Sequence, residues 1–193
     1  MKLATLLLIS ILLGCFAPVI AGEPDGASNV VIAFAGGTTQ NPAGSANPYT
    51  CAWHLLLVSG LDNSALFSDP NNPSQANAYF TWKSEYTLIP VSSGGAFVLF
   101  LGPTGTATIY YKGNPVATLI RKAALGYSPD WPTSDTFTFS AQLVSSKTFW
   151  LDGPNGKPFN FNDLIPHGMT CFESGRNYSS SEAGTCIATG SAF

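Results

Sequence analysis

One stretch in the last third of the chain alternates apolar and polar side chains. Between Phe137 and Leu143 every second residue is apolar, and the residues between them carry hydroxyl or amide groups. Because successive side chains of a β-strand point to opposite faces, this pattern predicts a strand with one buried face and one solvated face. The alternation resumes at Phe149 and again at Phe159, on either side of turn-forming residues 152–157. We therefore predict a hairpin at this position.

Short apolar or alternating runs separated by Gly and Pro occur along the rest of the chain. Residues 29–35 form an apolar run, which predicts a strand covered on both faces. Residues 36–48 contain several breakers and no periodicity, so a loop is predicted there. An irregular connection with one helical turn at residues 64–67 is predicted farther on. Further strands are predicted at residues 50–60, 79–91, 95–101, 104–113 and 115–123, with a hairpin loop at Gly113 and Asn114.

The aromatic residues determine the predicted fold class. Aromatic side chains make up 12% of the chain, and charged ones make up only 10%. Each enclosed Phe side chain contributes about 2 to 3 kcal/mol through burial, so most of these rings must lie in a core. Two antiparallel sheets packed face to face would enclose them. We therefore predict an all-β, single-domain β-sandwich of jelly-roll or immunoglobulin-like type, with about eight to ten strands, over residues 29–193.

A small outer-membrane β-barrel would show the same alternation, and this chain ends in Phe193, as the strands of such barrels often do. However, Thr185 and Thr189 share the face of Phe193 in the last predicted strand, which makes that face too polar for lipid. Residues 96–101 are apolar on both faces, which suits a packed core better than a polar lumen. The membrane barrel therefore stays only a remote alternative.

The N-terminal residues 1–21 have the organisation of a secretory signal peptide. Lys2 precedes an apolar stretch, and small residues precede the polar leader at residues 22–28. Cys15 lies in a segment similar to the acylation site of bacterial lipoproteins, but the residues after it stay apolar, which disfavours this alternative. No later segment has the roughly 20 consecutive apolar residues of a spanning helix, so no transmembrane span is predicted in the mature chain. The predicted location is secreted, either extracellular or periplasmic.

The charge balance argues against a nucleic-acid partner. Without residues 1–21 the chain has seven basic and eleven acidic residues. A nucleic-acid-binding surface needs clustered Lys and Arg side chains to neutralise phosphates. The sequence contains no such cluster, so nucleic acid is excluded from the predicted partners.

Three cysteines remain in the mature chain. Cys171 and Cys186 flank a polar loop with little apolar surface of its own, and a disulfide between them would stabilise the fold by about 3 kcal/mol. Cys51 is predicted to be a buried free thiol that packs as a small apolar residue. A nucleophile assisted by His54 is geometrically poor, because residues three apart on a strand point to opposite faces.

Recognisable catalytic and metal-binding motifs are absent from the sequence. His54 lies among apolar residues and is predicted to be a hydrogen-bonded core residue, whereas His167 is predicted to lie on an exposed turn. Two distant histidines do not indicate a metal site, and residues 151–163 lack the spaced acidic ligands of a calcium loop. We therefore predict no metal ion and no cofactor.

Four aspartates in the last third of the chain support an alternative function. Two of Asp130, Asp135, Asp152 and Asp163 would have to oppose each other across a cleft to form the carboxylate pair of a glycoside hydrolase. The sequence gives no evidence for that opposition. A secreted hydrolase is therefore the alternative to a non-catalytic role.

Aromatic residues outside the predicted core are the candidate ligand-binding residues. Trp131 and Tyr127 lie in or beside a segment rich in Pro and Asp, and Trp150 should point away from the core face of its strand. An exposed ring beside carboxylate or amide groups is typical of carbohydrate-binding sites, which adds Asp130 and Asp152 to the candidates. We therefore predict a secreted, non-catalytic binding or structural module whose partner is a carbohydrate or another cell-surface ligand.

Overall fold

The structure is a computed structural model that describes most of the chain after residue 29. The predicted signal peptide and leader lie outside the described residues, and so do Cys15, Asp130 and Trp131. The described residues are 30–45, 49–87, 90–94, 97–101, 105–127, 135–152, 156–175 and 182–189.

Twelve β-strands and three short helices form within this part of the chain. The strands β1 to β12 are, in order, Val30–Gln40, Tyr49–Val58, Phe80–Tyr86, Pro90–Gly94, Phe97–Leu101, Gly105–Tyr111, Asn114–Tyr127, Asp135–Ser146, Phe149–Trp150, Pro158–Phe159, Met169–Gly175 and Glu182–Ala188. The helices are α1 (Asn63–Leu66), a 3-10 helix (Gln75–Asn77) and α2 (Phe161–Leu164). α1 confirms the helical turn predicted near residues 64–67. β9 and β10 pair as a separate two-stranded sheet, which confirms the predicted hairpin.

Eight strands form a closed antiparallel barrel. Their order around it is β1, β2, β3, β6, β7, β8, β11 and β12, and β12 pairs with β1 to close the ring. β7 pairs with β6 over its first half and with β8 over nearly its whole length. β5 pairs with the second half of β7, and β4 pairs with β5. The all-β prediction is confirmed, but the two-layer sandwich is wrong, because one sheet closes on itself and encloses the aromatic side chains.

The turn between β6 and β7 lies one residue earlier than predicted. Its two central residues are Lys112 and Gly113, which take positive φ values of 48° and 78°. This combination is typical of the type I′ turn, whose twist matches that of the strands it joins. Asn114 consequently pairs with Tyr111 as the first residue of β7.

Aromatic side chains fill the interior of the barrel, so the prediction of an aromatic core is confirmed although one closed sheet encloses it. Trp53 stacks on Phe34 with ring centroids 4.4 Å apart, and it meets Trp82 edge-on at 5.3 Å. Phe139 lies 6.2 Å from Trp53 and 6.3 Å from Trp82. All four side chains are buried. The inward position of Phe139 confirms the face predicted for this strand.

The two ends of the barrel differ. At one end, which we call the plugged end, α1, α2 and the β9–β10 hairpin pack against the strands. Phe80 there meets Phe149 and Phe161 edge-on, with centroids 6.0 and 6.1 Å apart. The opposite end, which we call the polar end, is where β1, β3, β7 and β11 finish and β2, β6, β8 and β12 begin. Tyr49 and Tyr86 pair across β2 and β3 at this end.

Gly36 determines how β1 fits between its neighbours. It pairs with Trp53 on β2 and with Glu182 on β12. A Cβ at this position would lie 2.2 Å from the Ala52 carbonyl oxygen and 2.7 Å from Trp53. Only glycine therefore allows the Trp53 ring to lie across β1 inside the barrel. The loop predicted at residues 36–48 is thus wrong for residues 36–40, which continue β1.

The predicted disulfide between Cys171 and Cys186 is confirmed. The two residues are directly paired on β11 and β12, with their Cα atoms 4.0 Å apart. Both are fully buried. Cys51 is a buried free cysteine, as predicted.

Candidate functional site

The outward face of the β9–β10 hairpin carries an exposed tryptophan. Trp150 is 67% exposed and pairs with Pro158. Phe149, on the opposite face of β9, packs against Tyr111 with ring centroids 5.0 Å apart. The alternation along β9 therefore anchors one ring in the plugged end and leaves the Trp150 ring at the surface.

A groove of about 430 Å³ is formed by residues that are near Trp150 in the sequence. Asn160 connects the two features, because its Nδ2 donates a hydrogen bond of 3.0 Å to Thr148 Oγ1, next to the β9 strand. Asn160 Oδ1 also accepts a hydrogen bond from the Asn162 backbone, which fixes the start of α2. The groove is lined by Leu143, Val144, Ser145, Ser146, Asn160, Asn162 and Pro166, so hydroxyl and amide groups supply its polar atoms.

Asp152 lies on the same hairpin connection as Trp150 and forms an ion pair with Lys112. The Lys112 ammonium also lies 4.2 Å from the centroid of the Tyr79 ring. The backbone N–H of Asp152 donates a 2.9 Å hydrogen bond to the Tyr111 hydroxyl. These contacts hold the start of the connection against the barrel, so Asp152 has a structural role beside the exposed ring.

The structure does not bring the predicted site residues together. Trp150 and Asp152 lie at the plugged end, whereas Tyr127 ends β7 at the polar end. Asp130 and Trp131 lie outside the described residues. Among the predicted carboxylates, Asp152 is engaged by Lys112 and Asp163 is exposed on α2.

The interior at the polar end contains a group of polar and charged side chains that was not predicted from the sequence. We call it the inner polar cluster. Its hydrogen bonds centre on Glu182, whose Oε2 accepts from Thr38 Oγ1 at 2.7 Å and from Trp53 Nε1 at 3.2 Å. Thr38 Oγ1 is also 3.1 Å from Cys51 Sγ. The members are Thr38, Cys51, Ser84, Tyr86, Arg121, Glu173 and Glu182, all of which are buried.

Arg121 lies between two aromatic rings in this cluster. The carbon at the centre of its guanidinium is 4.0 Å from the centroid of Tyr86 and 3.9 Å from that of Phe139. Burial alone would lower the pKa of Arg121, but its neighbours Tyr86, Cys51 and Glu173 raise it above the usual value. The guanidinium is therefore a fixed positive charge inside the barrel.

The thiol and phenol beside Arg121 are protonated at neutral pH. Burial raises the pKa of Cys51 to about 11, although the positive charge of Arg121 opposes this. Burial likewise raises the pKa of Tyr86 well above its ordinary value. Because the thiolate is the reactive form of cysteine, Cys51 is a poor nucleophile in this environment.

His54 points to the outside of the barrel, opposite to Cys51 on the same strand, as the sequence predicts for that pair. It is only half-buried, and no described residue is a hydrogen-bond partner of its buried Nδ1. The prediction of a hydrogen-bonded core histidine is therefore wrong. Partial burial lowers the pKa of His54. His167 is exposed on a turn, as predicted.

The alternation of the strands contained a signal for the missed residues. Glu173 is two positions from the buried Cys171, and Glu182 is four positions from the buried Cys186. Because residues two apart on a strand share a face, both glutamates are in phase with the disulfide and must point inward. Arg121 is in phase with the buried Leu119 for the same reason.

Within the described ranges, no three His, Cys, Asp or Glu side chains are grouped so that they would hold a metal ion. None of the helices in these ranges is long and apolar enough to cross a membrane.

No family model, no curated protein and no solved structure matches this chain.

Proposed function

We propose that this protein is a secreted, non-catalytic module that binds a carbohydrate at Trp150 and the adjoining groove. The observation that carries the proposal is the exposure of the Trp150 ring on a strand that Asn160, through its hydrogen bond to Thr148, connects to a groove with hydroxyl and amide groups. Phe172, an exposed ring on the barrel wall, lines a groove of similar volume, about 440 Å³, but that groove also includes the apolar residues Ala33, Phe34 and Leu56 and has no amide side chain.

The chemistry of this surface suits a sugar. An aromatic ring offers a flat apolar face on which the C–H face of a pyranose stacks, while hydroxyl and amide groups exchange hydrogen bonds with its hydroxyls. None of the residues lining the groove is charged, which favours a neutral saccharide. Asn160 is already fixed by two hydrogen bonds, so little ordering would be needed when a ligand binds.

The predicted signal peptide at residues 1–21 supports a ligand outside the cytoplasm. A glycan of a cell surface or of the extracellular medium fits that location. The secreted hydrolase stays the alternative prediction, and an enzyme would release a shortened glycan where a binding module releases none.

The test is a glycan array probed with the mature protein, followed by titration of the best ligand while tryptophan fluorescence is recorded. Replacing Trp150 by Ala should weaken binding about fivefold or more, because a stacked ring contributes on the order of 1 kcal/mol or more. The matched control is Phe172→Ala, which removes a ring that is 46% exposed on the barrel wall. Equal binding by both variants, or no binding by the parent protein, would reject the proposal.

A further inference from the structure

We propose that the polar end of the barrel interior is a second binding site, for a small uncharged ligand that carries oxygen acceptors, and that Arg121 is the residue that holds it. The proposal is independent of the carbohydrate surface, because Arg121 and Trp150 lie toward opposite ends of the barrel. It depends on a group of buried hydrogen-bond donors that have no partner among the described side chains.

Arg121 supplies two of these donors. Its side chain is 3% exposed, and within the described part of the chain neither Nε nor Nη1 has a hydrogen-bond partner. The Ser84 hydroxyl and the Trp82 indole nitrogen are buried and unpartnered in the same sense. Unpaired buried donors are destabilising, and native proteins leave few of them. Four such atoms in one interior indicate a region that is built to receive an acceptor.

The four donors belong to side chains that are buried inside the barrel on β3 and β7. Trp82, Ser84 and Tyr86 alternate along the inner face of β3. The guanidinium of Arg121 lies against the rings of Tyr86 and Phe139, and the Phe139 centroid is 6.3 Å from that of Trp82. The proposal requires that an acceptor held by Arg121 is also reached by the β3 donors.

Two small residues of β6 lie between the strand of Arg121 and the strand of Tyr86. β6 separates β7 from β3, and at this level it contributes Gly105, which pairs with Tyr86, and Ala107, which pairs with Ser84. A Cβ at Gly105 would lie 2.5 Å from the Cβ of Tyr86. Gly105 is therefore required by the close approach of β3, and neither of these positions places a large side chain between Arg121 on β7 and the Tyr86 ring.

The charges near Arg121 favour a ligand without charge. Glu173 and Glu182 are buried in the same cluster, so its carboxylates already outnumber its one guanidinium. A bound anion would add a third negative charge to a region of low dielectric constant, which is costly. A carbonyl, amide or ether oxygen would accept hydrogen bonds from Arg121 and Trp82, which are donors only, without adding charge. Small amides and carbonyl compounds are the ligand class that these groups would take.

The proposal places the entry of the ligand at the polar end of the barrel. Tyr86 and Glu173, which lie nearest that end, keep 7% and 6% of their surface exposed, whereas Cys51 and Trp82 deeper in the barrel are 0% exposed. Mouths of β-barrels are a usual location for small-molecule sites. In this proposal a small probe approaches Arg121 from this end.

The experiment is an NMR titration of the ¹⁵N-labelled secreted protein with acetamide, and in parallel with sodium acetate. We expect saturable shifts of the Arg121 Nε–H and Trp82 Nε1–H resonances with acetamide at millimolar concentrations. The indole resonance of Trp150 should not move, which separates this site from the carbohydrate surface. Binding of acetate alone would overturn the proposed ligand class. No shift with either probe, together with contacts from the Arg121 Nε–H to long-lived water, would show that water satisfies these donors and would overturn the proposal.

Two variants test the assignment of residues. Ser84→Ala removes only a hydroxyl from the cluster, and we expect it to weaken acetamide binding about threefold to tenfold, the size of one hydrogen bond. Arg121→Lys should abolish binding, because an ammonium cannot replace the guanidinium between the two rings. If Arg121→Lys does not fold, the titration of Ser84→Ala still tests the proposed site. Unchanged acetamide affinity in Ser84→Ala would contradict the proposal that these donors bind the same ligand.

Discussion

The indole nitrogen of Trp53 donates a hydrogen bond to Glu182 Oε2 across the strand that separates them, over a distance of 3.2 Å. Gly36 pairs with both residues and has no side chain that would block this contact. The same carboxylate oxygen accepts the Thr38 hydroxyl, so Glu182 is held from two directions. The absence of a side chain at Gly36 thus permits the hydrogen bond that joins the aromatic core of the barrel to the inner polar cluster.

Replacing Gly36 by Ala should therefore destabilise the protein by about 3 kcal/mol, the upper range for overpacking a core. The added Cβ would meet backbone atoms, which cannot move aside as a flexible side chain would. The measurement is the free energy of unfolding in urea. Gly44→Ala is the matched control, because Gly44 has a positive φ of 89° but no atom within 4 Å of the position that a Cβ would take. It should cost only about 1 to 2 kcal/mol, and equal costs at both positions would contradict the steric explanation.

Removing the disulfide should lower the free energy of unfolding by about 2 to 4 kcal/mol, since the bond closes a loop in the unfolded chain. The sequence separation of Cys171 and Cys186 is 15 residues. The variant is Cys171→Ala combined with Cys186→Ala, compared with the parent protein by guanidinium denaturation with and without reductant. Reductant should lower the midpoint of the parent and leave that of the double variant unchanged. A parent protein that is insensitive to reductant in the unfolding transition would contradict this account.

The sequence was sufficient to predict most elements of the fold. Strands, the β9–β10 hairpin and the disulfide were predictable, because they depend on alternation, turn residues and loop closure, which are local properties. The closed barrel was not predictable in the same way. It depends on which strands meet, and β7 pairs with β8 from Ala117 to Tyr127 in a register that local periodicity does not specify. Both a sandwich and a barrel bury alternate residues, so the pattern alone does not distinguish them.

The candidate sites, like the fold, were predictable from the sequence only in part. Alternation placed Trp150 outside, and the structure agrees. The inner polar cluster is not evident from composition or motifs, because its charged residues are marked only by being in phase with buried residues along their strands. The composition around Gly36 predicts a loop, but Gly36 lies within β1, where the absence of a side chain lets the Trp53 ring lie across the strand. A glycine can interrupt a strand, or it can let a side chain of the neighbouring strand approach its backbone closely. The sequence of the strand alone does not distinguish these two cases.

Arg121 and Glu173 should depend on each other for stability. Arg121→Met keeps much of the side-chain volume but leaves Glu173 as a buried carboxylate without its neighbouring positive charge, so we expect a loss of about 3 to 5 kcal/mol. The double variant Arg121→Met with Glu173→Gln removes both charges, and we expect it to regain more than half of that loss. The free energies of unfolding of the two single variants and the double variant form a double-mutant cycle.

The control for this cycle is Lys112→Met, alone and with Asp152→Asn. That pair is exposed, so its coupling should be about 0 to 1 kcal/mol. Strictly additive effects of the Arg121 and Glu173 substitutions would show that the two charges do not interact, in conflict with the influence of Glu173 on the pKa of Arg121.

Cys51 should make the stability of the protein fall at alkaline pH. Burial raises the pKa of its thiol from 9.0 to about 11, so the native state keeps a proton that the unfolded state loses. Stability from this group is fully present below about pH 9 and is lost as the pH rises toward 11. The loss should amount to about 2 to 3 kcal/mol. Tyr86 acts in the same direction at higher pH, because its pKa is raised as well.

The contribution of Cys51 is isolated by comparing the parent protein with Cys51→Ala between pH 8 and pH 11. Tyr86 is present in both proteins, so the difference between their free energies of unfolding should fall by the amount that the thiol contributes. Alkylation by iodoacetamide gives a second measure, because only the thiolate reacts. At pH 8 the unfolded protein should be alkylated at Cys51 much faster than the native protein. Stability curves that stay parallel up to pH 11, with equal alkylation rates, would mean that Cys51 is not enclosed by the inner polar cluster.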